Sequence, residues 1–483
     1  MSTSSGGVGA TPPASALTAI TSCVIDSEND VVIGGPDAPA GCQNVEMDPS
    51  GNSSVPFGEI QIAAGGTLHI EGAAPGSSNQ GASIARDSIP LVPLEPVQTI
   101  CVEDGGKLEF GSADKPITDS NKVVLRFVGN RNSGGSGKLC AGDPDFNKGI
   151  VVEAGGSLLM YGAKGVPKYD SQGNNIGGVS WTTLAAPAGS NVPGAKVASR
   201  GTKTLALTAN VTQGPEGWQP GDWIVVATTD YVPFHSEFVQ IATVRAGGVN
   251  SAGSTVTLQQ PLKYYHFGSL APSSASATCP DPLYPAHSAT STQPAFLCDG
   301  ADKNYGVDER AEVGFISRDI ELKAVTEAVT KVPPPATSSV YWGGEIMIHA
   351  GFKQVAIQGV RLSKFGKDKL GSYPIHFHMI GDADNKPLIN ADSVDHSYNK
   401  CVTIHDTSNL TIQNMVCARI VGHIFYEELD STTTADDSGI TFKNDLGLGS
   451  MSNSFDINPV TVNGKQISRA QLIKDYWWTG DYM

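Results

Sequence analysis

The stretch LGSYPIHFHMIGD, residues 370–382, places His376 and His378 one residue apart in an otherwise apolar run. On an extended strand, positions i and i+2 share a face, so both imidazoles project together with Phe377 on the opposite side. Such a pair supplies two nitrogens to one metal ion, and neutral imidazoles suit a zinc-like divalent transition ion better than calcium. A third ligand has to come from another part of the chain. His405 follows His378 by 27 residues and His423 follows His405 by 18, so that half of the 10 histidines fall within residues 376–423. The candidate metal set is His376, His378, His405 and His423. The same residues also fit an acid–base cluster, or a ladder of stacked histidines bonded to backbone with a structural role.

Carboxylates share the zone: Asp382, Asp384, Asp395, Asp406, Glu427 and Glu428. Glycoside hydrolysis needs two of them flanking the scissile bond. β-Elimination on a uronic acid needs instead a neutralised substrate carboxylate and a base to take the adjacent proton. His376, His378, Asp382 and Glu428 are the candidate catalytic residues. Just upstream, Lys353, Arg361, Lys364, Lys367 and Lys369 face Asp368 alone, an excess of positive charge in a chain whose net charge is -16. This run reads either as a groove wall that gathers the carboxylates of an acidic polysaccharide or as a solvated loop.

The elements that position these groups are strands. The chain has 483 residues with 55 glycines, 30 prolines and 17% charged residues, a composition of turns and short strands. So acidic a chain is a poor bulk partner for nucleic acid, and no run of 18 apolar residues marks a membrane span. GEIQIAAGGTLHIEG, TICVEDGGKLEFGS and KGIVVEAGGSLLMYGA each read as strand, Gly-Gly turn, strand, with turns at 65, 105 and 155. Such self-similarity points to a stacked β architecture whose units bury their apolar faces on one another. Farther on, CVTIHDTSNLTIQNMVCARIVGHIFYEE gives VTI, LTI and IFY in quick succession, the short strands of a parallel β-helix; an all-β sandwich is the competing arrangement. Coils of roughly 20 to 30 residues would bring the spaced histidines into one column. SRAQLIKDYWW at 468–478 is the one helix-like segment.

Eight cysteines without a CxxC pair suggest disulfides and an oxidising compartment, with Cys279–Cys298 the first expected pair. Sequons at Asn52, Asn210 and Asn409 are weak support for secretion.

The blocks AGGTLHIEG, VEAGGSLLMYGAKG with SWTTL, WQPGDWIVVATTDY, LKYYHFG, RAEVGFISRDI, LGSYPIHFHMIGD, CVTIHDTSNLTI and VGHIFYEE run in order from about residue 55 to 450. Together they resemble the eight-glycine-domain, parallel β-helix family of cell-migration-inducing hyaluronidase, its transmembrane relative and fibrocystin-like proteins. The resemblance implies an all-β fold, a right-handed parallel β-helix preceded by a glycine-patterned β domain, and an extracellular or cell-surface role with glycans. It divides the chain into an N-terminus at 1–18, an eight-glycine-type domain at 19–240, a connecting β segment with a disulfide loop at 241–330, β-helix rungs at 331–467 and a terminal cap at 468–483. In this chain IFYEELD keeps Glu428 but lacks the family's following Asp-Gly. Two functions are expected from different classes. One is an enzyme, a glycoside hydrolase or polysaccharide lyase processing an acidic glycan. The other is a non-catalytic glycan-binding or adhesive module of a larger extracellular polypeptide.

Overall fold

A computed structural model describes residues 17–25, 29–47, 57–71, 96–133, 146–189, 201–268 apart from 202, 215, 231, 233–234 and 248–252, 310–327, 339–429 apart from 384, 438–451, 460–462 and 465–467. The expected Cys279–Cys298 bridge, the sequon at Asn52, Asp384 and the helix-like segment at 468–478 lie outside the described residues.

The Gly-Gly turns explain how the coils stack. Gly65, Gly105 and Gly155 adopt φ of +76°, +73° and +78°, a left-handed conformation that glycine enters without penalty. The glycine that follows each is needed for a different reason. A Cβ on Gly66, Gly106 or Gly156 would lie 2.4, 2.0 or 2.4 Å from the carbonyl oxygen of Ile33, Ile62 or Val102 in the preceding coil. The turns then bond one to the next: Gly65 N–H donates to Gly105 O, Gly105 N–H to Gly155 O and Gly155 N–H to Gly351 O at 3.2, 3.1 and 2.8 Å.

Each complete coil carries three strands, one on each face of the solenoid. The coil that holds the His-Phe-His triplet runs Ile375–Asp382, Leu388–Asn390, Ser393–Ser397; the next runs Val402–Ser408, Thr411–Gln413, Val416–Val421. Pairing along every face is parallel, so the fold is a parallel β-helix and not a sandwich. Among the described residues the second face contains nine strands, from Thr18–Ala19 to Thr441–Lys443. Within it Ser157–Tyr161 pairs directly with Gln354–Gln358, so the glycine-patterned coils and the histidine-bearing coils form one continuous solenoid. Between Ser157–Tyr161 and Ile320–Ala324, which occupy the second and third faces of a single coil, the chain leaves to build a six-stranded antiparallel sheet. One apolar cluster fills the solenoid from Ile20 to Ile420. A smaller one, with Val225 and Ile316 from the inserted sheet and Val416 and Ala418 from the third face, joins the two bodies.

Cys23–Cys42 and Cys401–Cys417 are disulfide-bonded, and no cysteine among the described residues is free. No helix among the described residues is long and apolar enough to cross a membrane.

Candidate functional site

In the strand Ile375–Asp382, Ile375 and Phe377 point into the apolar core. Period-two alternation therefore turns His376 and His378 outward on the first face. Register does the rest: His349, His378 and His405 are direct partners in three successive coils, and Glu428 follows His405 in the next. His376, His378 and His405 each bring a ring nitrogen within 4.8 Å of the others. The rings of His376 and His405 lie nearly parallel with centroids 6.0 Å apart, and His378 meets both edge-on at 4.9 and 5.2 Å.

The turn at Lys369–Ser372 folds over His376 and leaves it 1% exposed. Its Nδ1–H donates to the Gly371 carbonyl at 3.0 Å, which leaves Nε2 with its lone pair. That atom is buried and has no hydrogen-bond partner among the described residues. Burial, and then the neighbouring His378 and His405, push the pKa of His376 well below the ordinary histidine value. A neutral imidazole, fixed in tautomer by a carbonyl and offering a buried lone pair towards two further imidazoles, is the donor arrangement that suits a zinc-like ion.

A cleft of about 570 Å³ opens beside the cluster, lined by His376, His378, His349, Glu153, Lys369 and Met379 among others. His349 was not among the sequence candidates. Its Nδ1 hydrogen-bonds Glu153 at 2.7 Å, and its ring lies 5.6 Å from that of His378. Tyr373 is a second addition: its ring meets His376 edge-on at 4.9 Å, and its hydroxyl donates to Glu428 at 3.3 Å. Burial raises the Tyr373 phenol above its ordinary pKa. Lys400 packs against it, its ammonium 3.7 Å from the Tyr426 ring centre and 4.5 Å from that of Tyr373.

The other sequence candidates lie elsewhere. His423 stacks on Tyr426 at 5.0 Å, outside the three-histidine group. Asp382 sits exposed at the far end of its strand, where it accepts from Asn409 at 2.7 Å. The basic run disperses. Lys369 lines the cleft, whereas Lys367 is buried against Glu345. Arg361 is held by Asp395 on the third face, Lys364 occupies a corner in left-handed conformation, and Lys353 is exposed at the start of the second face.

Comparison with known proteins agrees with this architecture. Residues 43–170 match the G8 domain and residues 341–468 match the CEMIP beta-helix. It is 28% identical over 237 residues to the human cell migration-inducing and hyaluronan-binding protein, covering 47% of this chain and 15% of that protein. Against human cell surface hyaluronidase CEMIP2 the identity is 27% over 227 residues, covering 45% and 14%. Against human fibrocystin-L it is 27% over 362 residues, covering 68% and 7%. The chain thus spans a small part of the length of each of these relatives.

Proposed function

We propose that the chain acts on an acidic polysaccharide at the histidine cleft, as a hyaluronidase-like protein working outside the cell or on its surface, with His376, His378 and His405 holding a zinc-like cation. The observation that carries this reading is the convergence of three outward imidazoles, one with a buried, unbonded Nε2, beside an open cleft. The names of the relatives, hyaluronan-binding protein and cell surface hyaluronidase, supply the substrate class. The disulfides fit an oxidising compartment.

A cation held there would neutralise a uronate carboxylate and so acidify the proton beside it. In this reading His349 receives that proton while the electron pair left behind forms the C=C bond and expels the glycosidic oxygen, which takes a proton from water to become a hydroxyl. Glu153 accepts from the His349 Nδ1–H, which leaves Nε2 as the basic atom, and the carboxylate steadies the imidazolium that forms. Lys369, on the cleft rim, favours the approach of a polyanion to a protein of net charge -16.

Among the described residues the cleft lining holds one carboxylate, Glu153. That observation favours elimination over two-carboxylate hydrolysis. It also favours a second reading, in which the cleft binds the glycan without cleaving it.

Product sizing on hyaluronan, chondroitin and alginate, with ultraviolet detection of unsaturated uronate, tests the proposal. The expected result is shortened, unsaturated product from at least one polymer, and a rate about a hundredfold lower in His349→Ala. Saturated products, or cleavage undiminished in His349→Ala, would contradict elimination at this site. Binding without cleavage would replace the enzyme by the binding module.

A further inference from the structure

The third face of the solenoid holds a second cleft, of about 630 Å³, where the inserted sheet leans against the coils. Its floor follows a register. Ser363, Asp395 and Ala418 are direct partners in successive coils, and the residue after each, Lys364, His396 and Arg419, takes the left-handed conformation, at φ of 59°, 54° and 57°. The chain therefore turns at the same place in three coils and sets a lysine, a histidine and an arginine at matching register positions, of which His396 and Arg419 line the cleft. None of the three is a glycine or an asparagine, the residues that enter this conformation readily.

The polar contacts in this cleft order the arginine. Asp395 is buried and grips Arg361 through two hydrogen bonds, of 2.7 and 3.2 Å. The Nδ1–H of His396 donates to the same carboxylate at 2.8 Å, so its Nε2 is the acceptor that faces Arg419 Nη1 at 3.3 Å. The guanidinium carbon of Arg419 lies 4.9 Å from the Phe238 ring centre. Its close contacts are thus the His396 imidazole and a phenyl ring, and the carboxylate whose charge reaches it, Asp395, is already held by Arg361 and His396. The opposite wall, from the inserted sheet, supplies Lys263 and Tyr264. Tyr264 is 36% exposed, and its ring is backed by His235 at a centroid distance of 3.7 Å. Among the described lining residues the carboxylate on that wall is Glu237, which is taken up by the backbone N–H groups of Lys263 and Tyr264 at 2.8–2.9 Å and by His266 at 3.0 Å; Asp230 behind Tyr264 is held by His235 at 2.6 Å. A fork of guanidinium donors matches a carboxylate, and a braced aromatic ring offers a flat apolar surface to the face of a sugar.

We propose that this cleft is a second binding subsite for an acidic glycan, on a different face from the histidine cleft, which takes a uronate carboxylate on Arg419 and the sugar ring on Tyr264. The inference rests on the acidic-glycan reading for its ligand class, and not on the histidine cluster. A polymer held at both faces would be gripped by sites that share the coils Ile375–Ser397 and Val402–Val421.

The test is calorimetric titration with a hyaluronan oligosaccharide and with the same oligosaccharide after carboxyl reduction. It uses the parent chain, a His376→Ala, His378→Ala double variant, and that double variant carrying either Arg419→Gln or Tyr264→Ala. The double variant is expected to retain binding, and each added change to weaken it about tenfold, as carboxyl reduction also does. Binding in the parent that vanishes in the double variant overturns the second subsite and leaves the histidine reading standing. Binding as tight in the double variant as in the parent, yet lost with Arg419→Gln, supports the subsite and counts against the histidine cleft. Indifference to Arg419, Tyr264 or the carboxylate overturns the subsite, and absence of binding to the parent overturns both.

Discussion

At the scale of single residues, burial decides which groups carry charge. His376 stays neutral because the turn above it removes water and two imidazoles stand beside it. The same physics acts on Asp319, where the chain returns from the inserted sheet to the solenoid. Burial, followed by the nearby Asp119 carboxylate, raises its pKa to about 7, against the opposing pull of Lys164. One oxygen accepts the Lys164 backbone N–H at 3.0 Å, and the other has no partner among the described residues. From the unfolded value of 3.8 up to about 7, the folded chain holds a proton that the unfolded chain has released. The contribution of Asp319 to stability therefore falls as pH rises through that window and stays lost above it. Asp319→Asn keeps the acceptor and removes the ionisation. Urea unfolding should show it stabilised relative to the parent by roughly 1–3 kcal/mol at pH 8 and little changed near pH 4. Equal differences at both pH values would contradict this assignment. The histidines themselves were largely legible, since an i, i+2 pair and a spacing of 27 residues identify His376, His378 and His405. His349 lies 29 residues before its register partner His378, also one coil length, but it stands outside the histidine-rich stretch and has no i, i+2 partner to mark it. Tyr373 and Lys400 were not legible, because corner turns between strands carry no periodicity that says what they fold over.

At the scale of elements, the Gly-Gly turns carry two distinct requirements that a single variant of each separates. Gly105 needs its left-handed φ of +73°, and a Cβ there would be 3.2 Å from the nearest atom, Ala64 Cα. Alanine at this position should cost roughly 1–2 kcal/mol. Gly106 has no such φ, yet its Cβ would sit 2.0 Å from Ile62 O, so that alanine forces the coils apart. Gly106→Ala should cost roughly 3 kcal/mol or more. Denaturant midpoints that fall in the reverse order would contradict the stacking account. The turns and their flanking strands were readable because the motif repeats three times. The pairing of Ser157–Tyr161 with Gln354–Gln358 was not, since nearly two hundred residues intervene and nothing local specifies the partner. The basic run shows the same limit. Its residues are neighbours along the chain, but the corner between the second and third faces sends Lys353 and Arg361 to different walls.

At the scale of the whole molecule, the solenoid acts as a ruler. Each coil sets its strands about 4.8 Å from the next, so side chains far apart in sequence line up in columns: histidines on the first face, and a lysine, a histidine and an arginine on the third. The inserted sheet walls the third face, and the first face keeps an open cleft. The central claim is that three imidazoles from two adjacent coils form one cation site, and zinc titration by calorimetry on the full chain tests it most directly. The account predicts one zinc per chain, affinity lowered more than about a hundredfold in His376→Ala and in His405→Ala, and unchanged affinity in His423→Ala. No binding by the parent, or binding indifferent to His376 and His405, would contradict it.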